Sequence, residues 1–332
     1  MILSDLKIRT EEVNFMEKRS ALICGVSGQD GSYLARFLLD KGYEVFGSSR
    51  DAQGSSFSNL KKLGIVDRVH CLSMAPEDFR SVLVALRKSN PDEIYYLAGQ
   101  SSVGLSFDQP AETMQSITLG TLNILEGCRM MDKKIRLYQA GSSECFGDTH
   151  GEPANELTPF HPMSPYAVAK SSAYWLVNNY RDAYNLFACT GILFNHESPL
   201  RPERFVTQKI IHSVHRIAAG SSEKLKLGRL DICRDWGWAP EYVQAMWLML
   251  QQDQPKDFVI ATGHTITLEE FVNAAFAQAG LDWKKYTIQD DALFRPTDLK
   301  IGRADPSKAL QELGWKAETK AEEVVKKMYQ AN

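Results

Sequence analysis

The chain has 332 residues, of which 44% are hydrophobic and 24% are charged, the composition of a globular protein with one large or two ordinary domains. Its 38 Lys and Arg residues against 41 Asp and Glu residues give a formal net charge of -3, which excludes the basic excess that nucleic-acid binding requires. The longest apolar runs, such as residues 245–250, are far shorter than the ~20 residues of a membrane-spanning helix, so no membrane span is expected.

The amino-terminal segment and the cysteines indicate where the protein works. Residues 1–17 mix both charges and contain no secretory apolar core, so no secretion signal is expected. Because Met16-Glu17-Lys18-Arg19-Ser20 resembles an ordinary amino terminus, we expect residues 1–17 to be an N-terminal extension that the fold does not need. Six cysteines are present without a C-x-x-C pair, which indicates reduced thiols in a cytoplasmic protein. No metal site is expected, because His212 and His215 lack a third ligand and their spacing is more typical of one helix face.

A short apolar strand at residues 20–24 runs into a glycine-rich turn, Gly25-x-x-Gly28-x-x-Gly31, and a helical pattern follows. Strand, glycine turn and helix together are typical of a dinucleotide-binding site. Missing side chains let the backbone approach a pyrophosphate, and the helix N-terminus offers amides and a partial positive charge. A tight turn that binds no ligand is the alternative.

The second strand, residues 43–47, bears on the choice of cofactor. A carboxylate at this strand end usually binds the ribose hydroxyls of NAD, whereas an arginine accommodates the 2′-phosphate of NADP. Ser48 and Ser49 occupy the carboxylate positions and Arg50 follows, which favours NADP. Asp51 keeps NAD as the alternative, because a shift of one residue in register would make it the ribose ligand.

Further strands alternate with helical stretches: residues 94–97, 135–138 and 188–194 are predicted strands, and residues 112–131 are mostly helical. This alternation predicts an α/β fold with a doubly wound parallel sheet (Rossmann) and a smaller mixed α/β substrate domain. We expect residues 18–194 to form the dinucleotide-binding domain and residues 195–332 to form mainly the substrate domain, with some elements shared. The ligand should lie at the carboxyl ends of the strands.

A second motif opens a helix near residue 165. Ser164 is a suitable N-cap and Pro165 suits the first helical position, so Tyr166 and Lys170 lie four residues apart on one face. A lysine cation and a helix N-terminus both favour the phenolate of a nearby tyrosine. Lowering a tyrosine pKa from ~10 to ~7 requires about 4 kcal/mol, which Lys170, the helix dipole and the charge of a nicotinamide can share. An ordinary helix surface is the alternative.

The polar turn after residues 135–138 adds a hydroxyl and a carboxylate. Ser142 can hydrogen-bond a substrate hydroxyl, and Glu144 can transfer a proton at the same edge of the sheet. A plain alcohol dehydrogenase needs only the hydroxyl and the tyrosine–lysine pair. The carboxylate therefore indicates a second proton transfer, next to a newly formed carbonyl, and a capping role for Glu144 is the alternative.

Several longer stretches carry a resemblance that goes beyond these motifs. They are residues 25–34, 142–144, 166–170, 191–199, 205–209, 234–237 and 294–296. Through them the chain, from Lys18 to about Tyr329, resembles the extended short-chain dehydrogenase/reductases (the NAD-dependent epimerase/dehydratase family) and, within them, the GDP-mannose 4,6-dehydratases.

This resemblance implies a hydro-lyase activity. GDP-mannose would be oxidised at C4 with hydride transfer to NADP, helped by Tyr166, Lys170 and Ser142, and Glu144 would remove the C5 proton before water leaves from C6. Return of the hydride to C6 would give GDP-4-keto-6-deoxymannose. Ser143 stands where dTDP-glucose dehydratases carry an aspartate that protonates the departing hydroxyl. A serine is a poor acid, so the resemblance leaves this role to Glu144 or a water.

The resemblance also implies binding residues and an oligomer. Cofactor-binding residues would be Gly25, Gly28, Gln29, Asp30, Gly31, Arg50, Leu97, Tyr166, Lys170 and His196. The GDP-sugar would contact Gln100, Ser101, Asn195, Val206, Lys209, Arg234 and Arg295. Arginine offers paired donors to phosphate oxygens and lysine a point charge. A homodimer through two long helices is expected and a tetramer is the alternative, since Asp51 stands where the family has the second of two arginines.

Other functions stay open at this point. A dehydratase of another GDP-sugar, such as GDP-manno-heptose, would carry the same motifs. A GDP-4-keto-sugar reductase or epimerase of the same fold is a further alternative, although a simple reductase does not need Glu144. A nonenzymatic NADP sensor or scaffold has no use for Ser142, Glu144, Tyr166 and Lys170 together.

Overall fold

The computed structural model describes residues 18–294 and 296–331. Two predictions therefore lie outside the described residues: the N-terminal extension of residues 1–17 and the substrate contact of Arg295.

One large parallel sheet organises the chain. The strands of the described residues are β1 (Ser20–Cys24), β2 (Glu44–Ser49), β3 (His70–Ser73), β4 (Glu93–Tyr96), β5 (Arg136–Ala140), β6 (Phe187–Leu193), β7 (Asn195–Glu197), β8 (Leu225–Leu227), β9 (Cys233–Trp238), β10 (Phe258–Ile260), β11 (Thr265–Thr267) and β12 (Thr287–Gln289). Seven of them form the sheet in the order β10–β6–β5–β4–β1–β2–β3, with parallel neighbours throughout. The direction of winding reverses between β1 and β4, the switch point at which such sheets bind ligands. The predicted doubly wound parallel sheet is confirmed.

Helices cover both faces of this sheet. They are α1 (Gln29–Asp40), α2 (Ser58–Lys62), α3 (Phe79–Ser89), α4 (Val103–Asp108), α5 (Pro110–Met114), α6 (Gly120–Met130), α7 (Pro165–Tyr184), α8 (Val206–Ala218), α9 (Ala239–Leu250), α10 (Leu268–Gln278), α11 (Ser307–Leu313) and α12 (Ala321–Gln330). α1 packs beside α9 on one face, and α6 lies between α3 and α7 on the other. The helix predicted at residues 112–131 is interrupted by a π-helical turn at Gln115–Leu119, where the Ser116 carbonyl accepts a hydrogen bond from the Tyr96 hydroxyl at 2.7 Å.

The central strands are buried on both sides. Every residue of β1 and β4 is buried, which explains why these segments are apolar or aromatic after their first residues, Ser20 and Glu93, without polar alternation. Leu34, Leu38 and Met246 belong to the core on one face, while Leu86 and Ile124 belong to the core on the other. Because helices cover both faces of the sheet, a ligand can reach the sheet only at the ends of its strands.

The chain after β6 builds a second, smaller unit and also returns to the large sheet. β11, β9 and β7 form a three-stranded sheet, and β12 pairs with β8. α8, α10 and α12 share a separate core around Trp236, Phe271 and Val325. β10 nevertheless pairs with β6, and α9 packs on α1, so elements after residue 195 contribute to both units. Within the described residues, we find no helix that combines the length and the apolarity needed to cross a membrane.

Candidate active site

The glycine-rich turn joins β1 to α1 in a shape that requires glycine. Gly25 has a φ of +87°, and a Cβ on Gly31 would lie 2.3 Å from the Gly25 carbonyl oxygen, so a side chain at either position is strained. The Ser32 amide donates to the Gly28 carbonyl at 3.0 Å, and the amides before it point out of the helix N-terminus. This turn fits a pyrophosphate, the group that a dinucleotide cofactor presents.

An ion pair connects the first turn of α1 to β7. His196 Nε2 lies 2.9 Å from Asp30 Oδ2, and its Nδ1 lies 2.7 Å from the Phe194 carbonyl oxygen. When Asp30 is ionised, both neighbours are acceptors, so both ring nitrogens donate and the imidazole is charged. Burial acts to lower the pKa of His196, but the charge and hydrogen bond of Asp30 outweigh it and raise that pKa. Burial likewise acts to raise the pKa of Asp30, but His196 brings it down to about 2.

Gln29 ties the same two elements together from inside. Its Nε2 donates to the His196 carbonyl at 3.1 Å, and its Oε1 accepts from the Ser198 hydroxyl at 2.7 Å. The side chain is buried and holds protein segments to each other. The cofactor contact that the resemblance implied for Gln29 stays a prediction.

At the end of β2, the side chain of Arg50 is free to contact a ligand, whereas the carboxylate of Asp51 is engaged in local hydrogen bonds. The Arg50 side chain is 74% exposed, and its Nη1 lies 3.7 Å from Glu112 Oε1. Asp51 Oδ1 accepts hydrogen bonds from the amides of Gln53 and Gly54 at 2.9 and 3.0 Å. The Asp51 carboxylate thus closes a local turn, whereas Arg50 projects into solvent.

A cavity of about 390 Å³ lies at the carboxyl ends of the large sheet, between the two units. Twelve of the residues predicted for the site line it: Asp30, Leu97, Ser101, Ser142, Glu144, Tyr166, Lys170, Asn195, His196, Val206, Lys209 and Arg234. Among the described residues, six predicted ones do not line it: Gly25, Gly28, Gln29, Gly31, Arg50 and Gln100. The sheet therefore brings the predicted acid–base groups and most of the predicted binding groups to one place.

The start of α7 positions the tyrosine and the lysine. The Ser164 hydroxyl caps the helix by accepting from the Ala167 amide at 3.1 Å, as its sequence position predicted. Tyr166 and Lys170 are 9% and 8% exposed, and Lys170 Nζ lies 5.8 Å from the centre of the Tyr166 ring. The ammonium donates to the Ala140 carbonyl at the end of β5, at 2.7 Å, which fixes it beside the cavity.

The electrostatics of Tyr166 differ from the sequence-based expectation. Burial raises the pKa of Tyr166 above its ordinary value, against a lowering effect of its hydrogen bond with Ser142. Burial also lowers the pKa of Lys170, to about 8. The protein alone therefore does not make Tyr166 more acidic, because the loss of water around a phenolate outweighs the nearby positive charges.

Glu144 reaches the cavity from a short 3-10 turn. The turn spans Ser143–Phe146 directly after β5, and the Ser142 hydroxyl caps it by accepting from the Glu144 amide at 3.3 Å. Glu144 is half-buried, lines the cavity together with Tyr166, and its charge contributes to the raised pKa of that tyrosine. A phenol and a carboxylate thus face the same space, which suits two proton transfers on one small molecule.

Gln100 is used differently from the expectation that it faces the hexose or the nicotinamide. Its Nε2 donates to the Ser102 carbonyl at 2.8 Å and to the Thr113 hydroxyl at 3.2 Å, and its Oε1 accepts from the Ser102 amide. All three bonds hold the loop after β4 in place. The neighbouring Ser101, in contrast, lines the cavity.

The other end of the cavity is basic. Lys209, on the first turns of α8, donates to the Lys226 carbonyl at 2.6 Å. Arg234, on β9, is 7% exposed, donates to the Leu299 carbonyl at 2.7 Å, and lies 3.6 Å from Asp298 Oδ1. These cations are fixed by short bonds to the protein and still border the cavity, an arrangement that suits phosphate oxygens.

Five further charged residues line the cavity and were missed by the sequence analysis: Glu197, Arg201, Arg204, Arg229 and Asp298. Arg201 lies against Glu197, with Nε 3.4 Å from Oε2, and its guanidinium stacks on Phe205 at 3.8 Å. Its charge works to lower the pKa of both Asp30 and Tyr166, so it lies near the cofactor end of the cavity. The position of Arg201, two residues after the singled-out stretch of residues 191–199, was the available signal.

Comparison with known proteins gives a consistent result. The family model described as GDP-mannose 4,6 dehydratase matches residues 22–328. GDP-mannose 4,6 dehydratase 2 of Arabidopsis thaliana is 45% identical over 330 residues, which cover 94% of this chain and 86% of the plant protein.

Two solved structures share the fold. The dTDP-glucose 4,6-dehydratase of Bacillus anthracis in complex with NAD superimposes with a TM-score of 0.81 at 18% identity, covering 94% of this chain and 96% of the other. RMD from Pseudomonas aeruginosa complexed with NADPH superimposes with a TM-score of 0.77 at 20% identity, covering 94% and 97%.

Proposed function

The chain belongs to the GDP-mannose 4,6-dehydratase family, and we propose that the residues around the large cavity carry out each step of that reaction. The protein is a hydro-lyase that acts on GDP-mannose. The observation that carries the proposed residue roles is the meeting of Ser142, Glu144, Tyr166 and Lys170 in one cavity.

Tyr166 accepts the proton of the 4-hydroxyl in the first step. Ser142 shares a hydrogen bond with Tyr166 and holds the same substrate hydroxyl, and Lys170 is fixed close to the ring by the Ala140 carbonyl. A nicotinamide dinucleotide, held by the turn around Gly25 and beside Tyr166 and Lys170, would supply reversible hydride transfer and a positive charge that favours the phenolate. Burial opposes that phenolate in the protein alone, so proton removal from Tyr166 is coupled to the filling of the site.

Glu144 acts on the other side of the new carbonyl. A ketone at C4 makes the C5 proton acidic, and a carboxylate that faces the cavity is a suitable base for it. Loss of the C6 hydroxyl as water follows, and addition of hydride at C6 and a proton at C5 gives GDP-4-keto-6-deoxymannose. A reductase of the same fold has no need for this carboxylate.

The basic end of the cavity holds the nucleotide diphosphate. Lys209 and Arg234 supply positive charge for the diphosphate oxygens, and Asn195 and Val206 border the same space. Arg201, held between Glu197 and Phe205, adds charge toward the cofactor. The names of the matching family and relative favour GDP-mannose over another GDP-sugar such as GDP-manno-heptose.

A nicotinamide dinucleotide is the cofactor, and we infer that it is NADP. Arg50 is exposed at the strand end where a 2′-phosphate lies in this fold, whereas the Asp51 carboxylate is bound to two backbone amides of its own turn. This geometry makes Arg50 the better placed of the two to meet the adenosine ribose. Isolation of the protein with NAD rather than NADP bound would contradict the inference.

We further infer a homodimer in the cytoplasm. α7 carries exposed apolar side chains, Val168 at 41% and Trp175 at 62% exposure, and a second copy would cover them. The six cysteines are free thiols, which suits a reducing compartment. Sedimentation as a monomer would contradict the dimer, and recovery from an oxidising compartment would contradict the location.

Incubation with GDP-mannose and no added cofactor, followed by mass analysis, tests the proposed function. Because the hydride is returned in each cycle, we expect loss of one water per substrate without net consumption of nicotinamide. A product that has gained or lost two hydrogens but kept its 6-hydroxyl would instead indicate a simple reductase or dehydrogenase, and an isomer of unchanged mass would indicate an epimerase.

A further inference from the structure

A second, much smaller cavity lies directly behind Glu144. Its volume is about 10 Å³, close to the smallest space that holds one water molecule. It shares four lining residues with the large cavity: Ser143, Glu144, Phe194 and Arg234. Glu144 therefore borders both the substrate space and this rear cavity.

The far wall of the rear cavity reaches the protein surface. It includes the half-buried Thr149 and the exposed Arg303. Ala154 and Gly302 complete the wall between them, and Ala154 is held by a backbone bond to the Arg303 carbonyl at 3.0 Å. A water in this space would thus lie between solvent and the catalytic carboxylate.

The lining has the polar groups that a bound water needs. A buried water makes about three hydrogen bonds, and the polar or charged residues Ser143, Glu144, Thr149, Arg234 and Arg303 all line the space. Phe146 and Phe194 supply the apolar remainder of the wall. The mixed polar and apolar lining suits one water molecule, and the volume excludes any larger ligand.

The proton balance of the proposed function calls for such a water, and the inference rests on that function. Tyr166 removes one proton, from O4, and Glu144 removes one, from C5. The departing C6 hydroxyl needs one proton to leave as water, and C5 needs another when the hydride arrives at C6. If Glu144 delivers both, it gives two protons after taking one, so it must gain one proton per turnover from outside the substrate, and Tyr166 must release one.

We propose that the rear cavity is a water site through which Glu144 exchanges protons with solvent. Ser143 is too weak an acid to protonate the leaving hydroxyl, so Glu144 performs that transfer from the substrate side. The water behind it then reprotonates the carboxylate for the final protonation at C5. The rear position matters because a bound GDP-sugar occupies the front of the site.

Filling the rear cavity without touching Glu144 tests the proposal. Ala154→Val adds volume to its wall, and Ala304→Val, at the bridge partner of Ala154 outside the lining, is the matched control. In a single turnover, we expect Ala154→Val to oxidise C4 at the parental rate but to form product at least about tenfold more slowly. This decrease is smaller than the about 10²–10⁴-fold decrease in rate that follows the loss of an acid–base group. Reduced nicotinamide absorbance should build up, and the control should show none of this.

Two further measurements keep the test decisive. Thr149→Leu closes the cavity from its surface side and replaces Ala154→Val if that variant does not fold. In deuterated water, the parental protein should place deuterium at C5, and the filled variants should do so at the reduced rate of product formation. A crystal structure should show one water in the rear cavity of the parent and none in the filled variants.

The outcomes separate this proposal from the proposed function. If the parental protein makes no 6-deoxy product, the proposed dehydratase function is wrong. Parental product formation with filled variants that match the parent in rate, or that lose C4 oxidation as well, would overturn the rear water site alone.

Discussion

The two units of the molecule hold their ligands with different kinds of structure. On the side of the large sheet, Tyr166 and Lys170 belong to a 20-residue helix that is capped and anchored to β5, and both side chains are buried. On the other side, Lys209 comes from a helix start and is fixed by one carbonyl, and Arg234 comes from a six-residue strand and is fixed by two carbonyls and by Asp298. The tyrosine and the lysine thus rest on one long capped helix, whereas Glu144 comes from a short 3-10 turn and the nucleotide-side cations depend on bonds to neighbouring segments.

The largest effect should come from the sheet side, at Tyr166. Tyr166→Phe removes the group that takes the 4-hydroxyl proton, so C4 oxidation itself should fall by about 10³-fold. The first appearance of reduced nicotinamide in a single turnover measures this step. Tyr174→Phe, on the same helix but packed against Phe160 outside the cavity, should leave it unchanged. Equal rates for the Tyr166 variant and the parent would remove the tyrosine from the mechanism.

The ion pair of Asp30 and His196, which connects the two units, should show the next largest effect of a substitution. Asp30→Asn leaves the imidazolium of His196, which is 9% exposed, without its counter-ion. We expect the free energy of unfolding to fall by about 2 kcal/mol. This is less than the about 3–5 kcal/mol lost when a fully buried pair is broken, because 22% of the Asp30 side chain is exposed. Urea unfolding measures it. Asp40→Asn on the same helix, where the partner Arg68 is itself exposed, should cost much less.

The pH dependence of that loss has a definite sign. The pKa of Asp30 is lowered from 3.8, so its contribution is complete above pH 3.8 and is lost as the pH falls toward about 2. The pKa of His196 is raised from 6.5, so its contribution is complete below pH 6.5 and is lost as the pH rises through the raised value. The difference between parent and Asp30→Asn should therefore be largest between pH 3.8 and 6.5 and shrink above it. A difference that grows with rising pH would refute the charged pair.

The smallest effect should come from the nucleotide side. Lys209→Met removes one point charge from the cavity wall, and we expect the KM for GDP-mannose to rise about tenfold with kcat unchanged, since the contact holds ground state and transition state alike. Lys224→Met, another lysine bound to a backbone carbonyl but outside the cavity, is the control. A fall in kcat instead would mean that the second unit takes part in the chemistry.

Local sequence was sufficient for the features that depend on neighbours along the chain. The glycine turn, the cap at Ser164 and the four-residue spacing of Tyr166 and Lys170 are properties of short segments, and the α/β alternation follows from apolar runs. The fold and the acid–base groups could be read from these.

The features that sequence could not provide depend on packing between distant segments. Asp30 and His196 are 166 residues apart, and nothing local indicates that they pair. From sequence alone, Gln100 is a plausible ligand contact, but in the structure its side-chain amide donates hydrogen bonds to Ser102 and Thr113. The pKa of Tyr166 rises because the folded chain excludes water from it, and burial of that degree is a property of the whole fold.

The most direct test of the central claim, that a phenol and a carboxylate act in turn on one sugar ring, is a single turnover of Glu144→Gln with GDP-mannose. The account predicts that this variant still oxidises C4, so reduced nicotinamide and a 4-keto sugar that keeps its 6-hydroxyl should accumulate while no 6-deoxy product forms. Formation of GDP-4-keto-6-deoxymannose at the parental rate would contradict it.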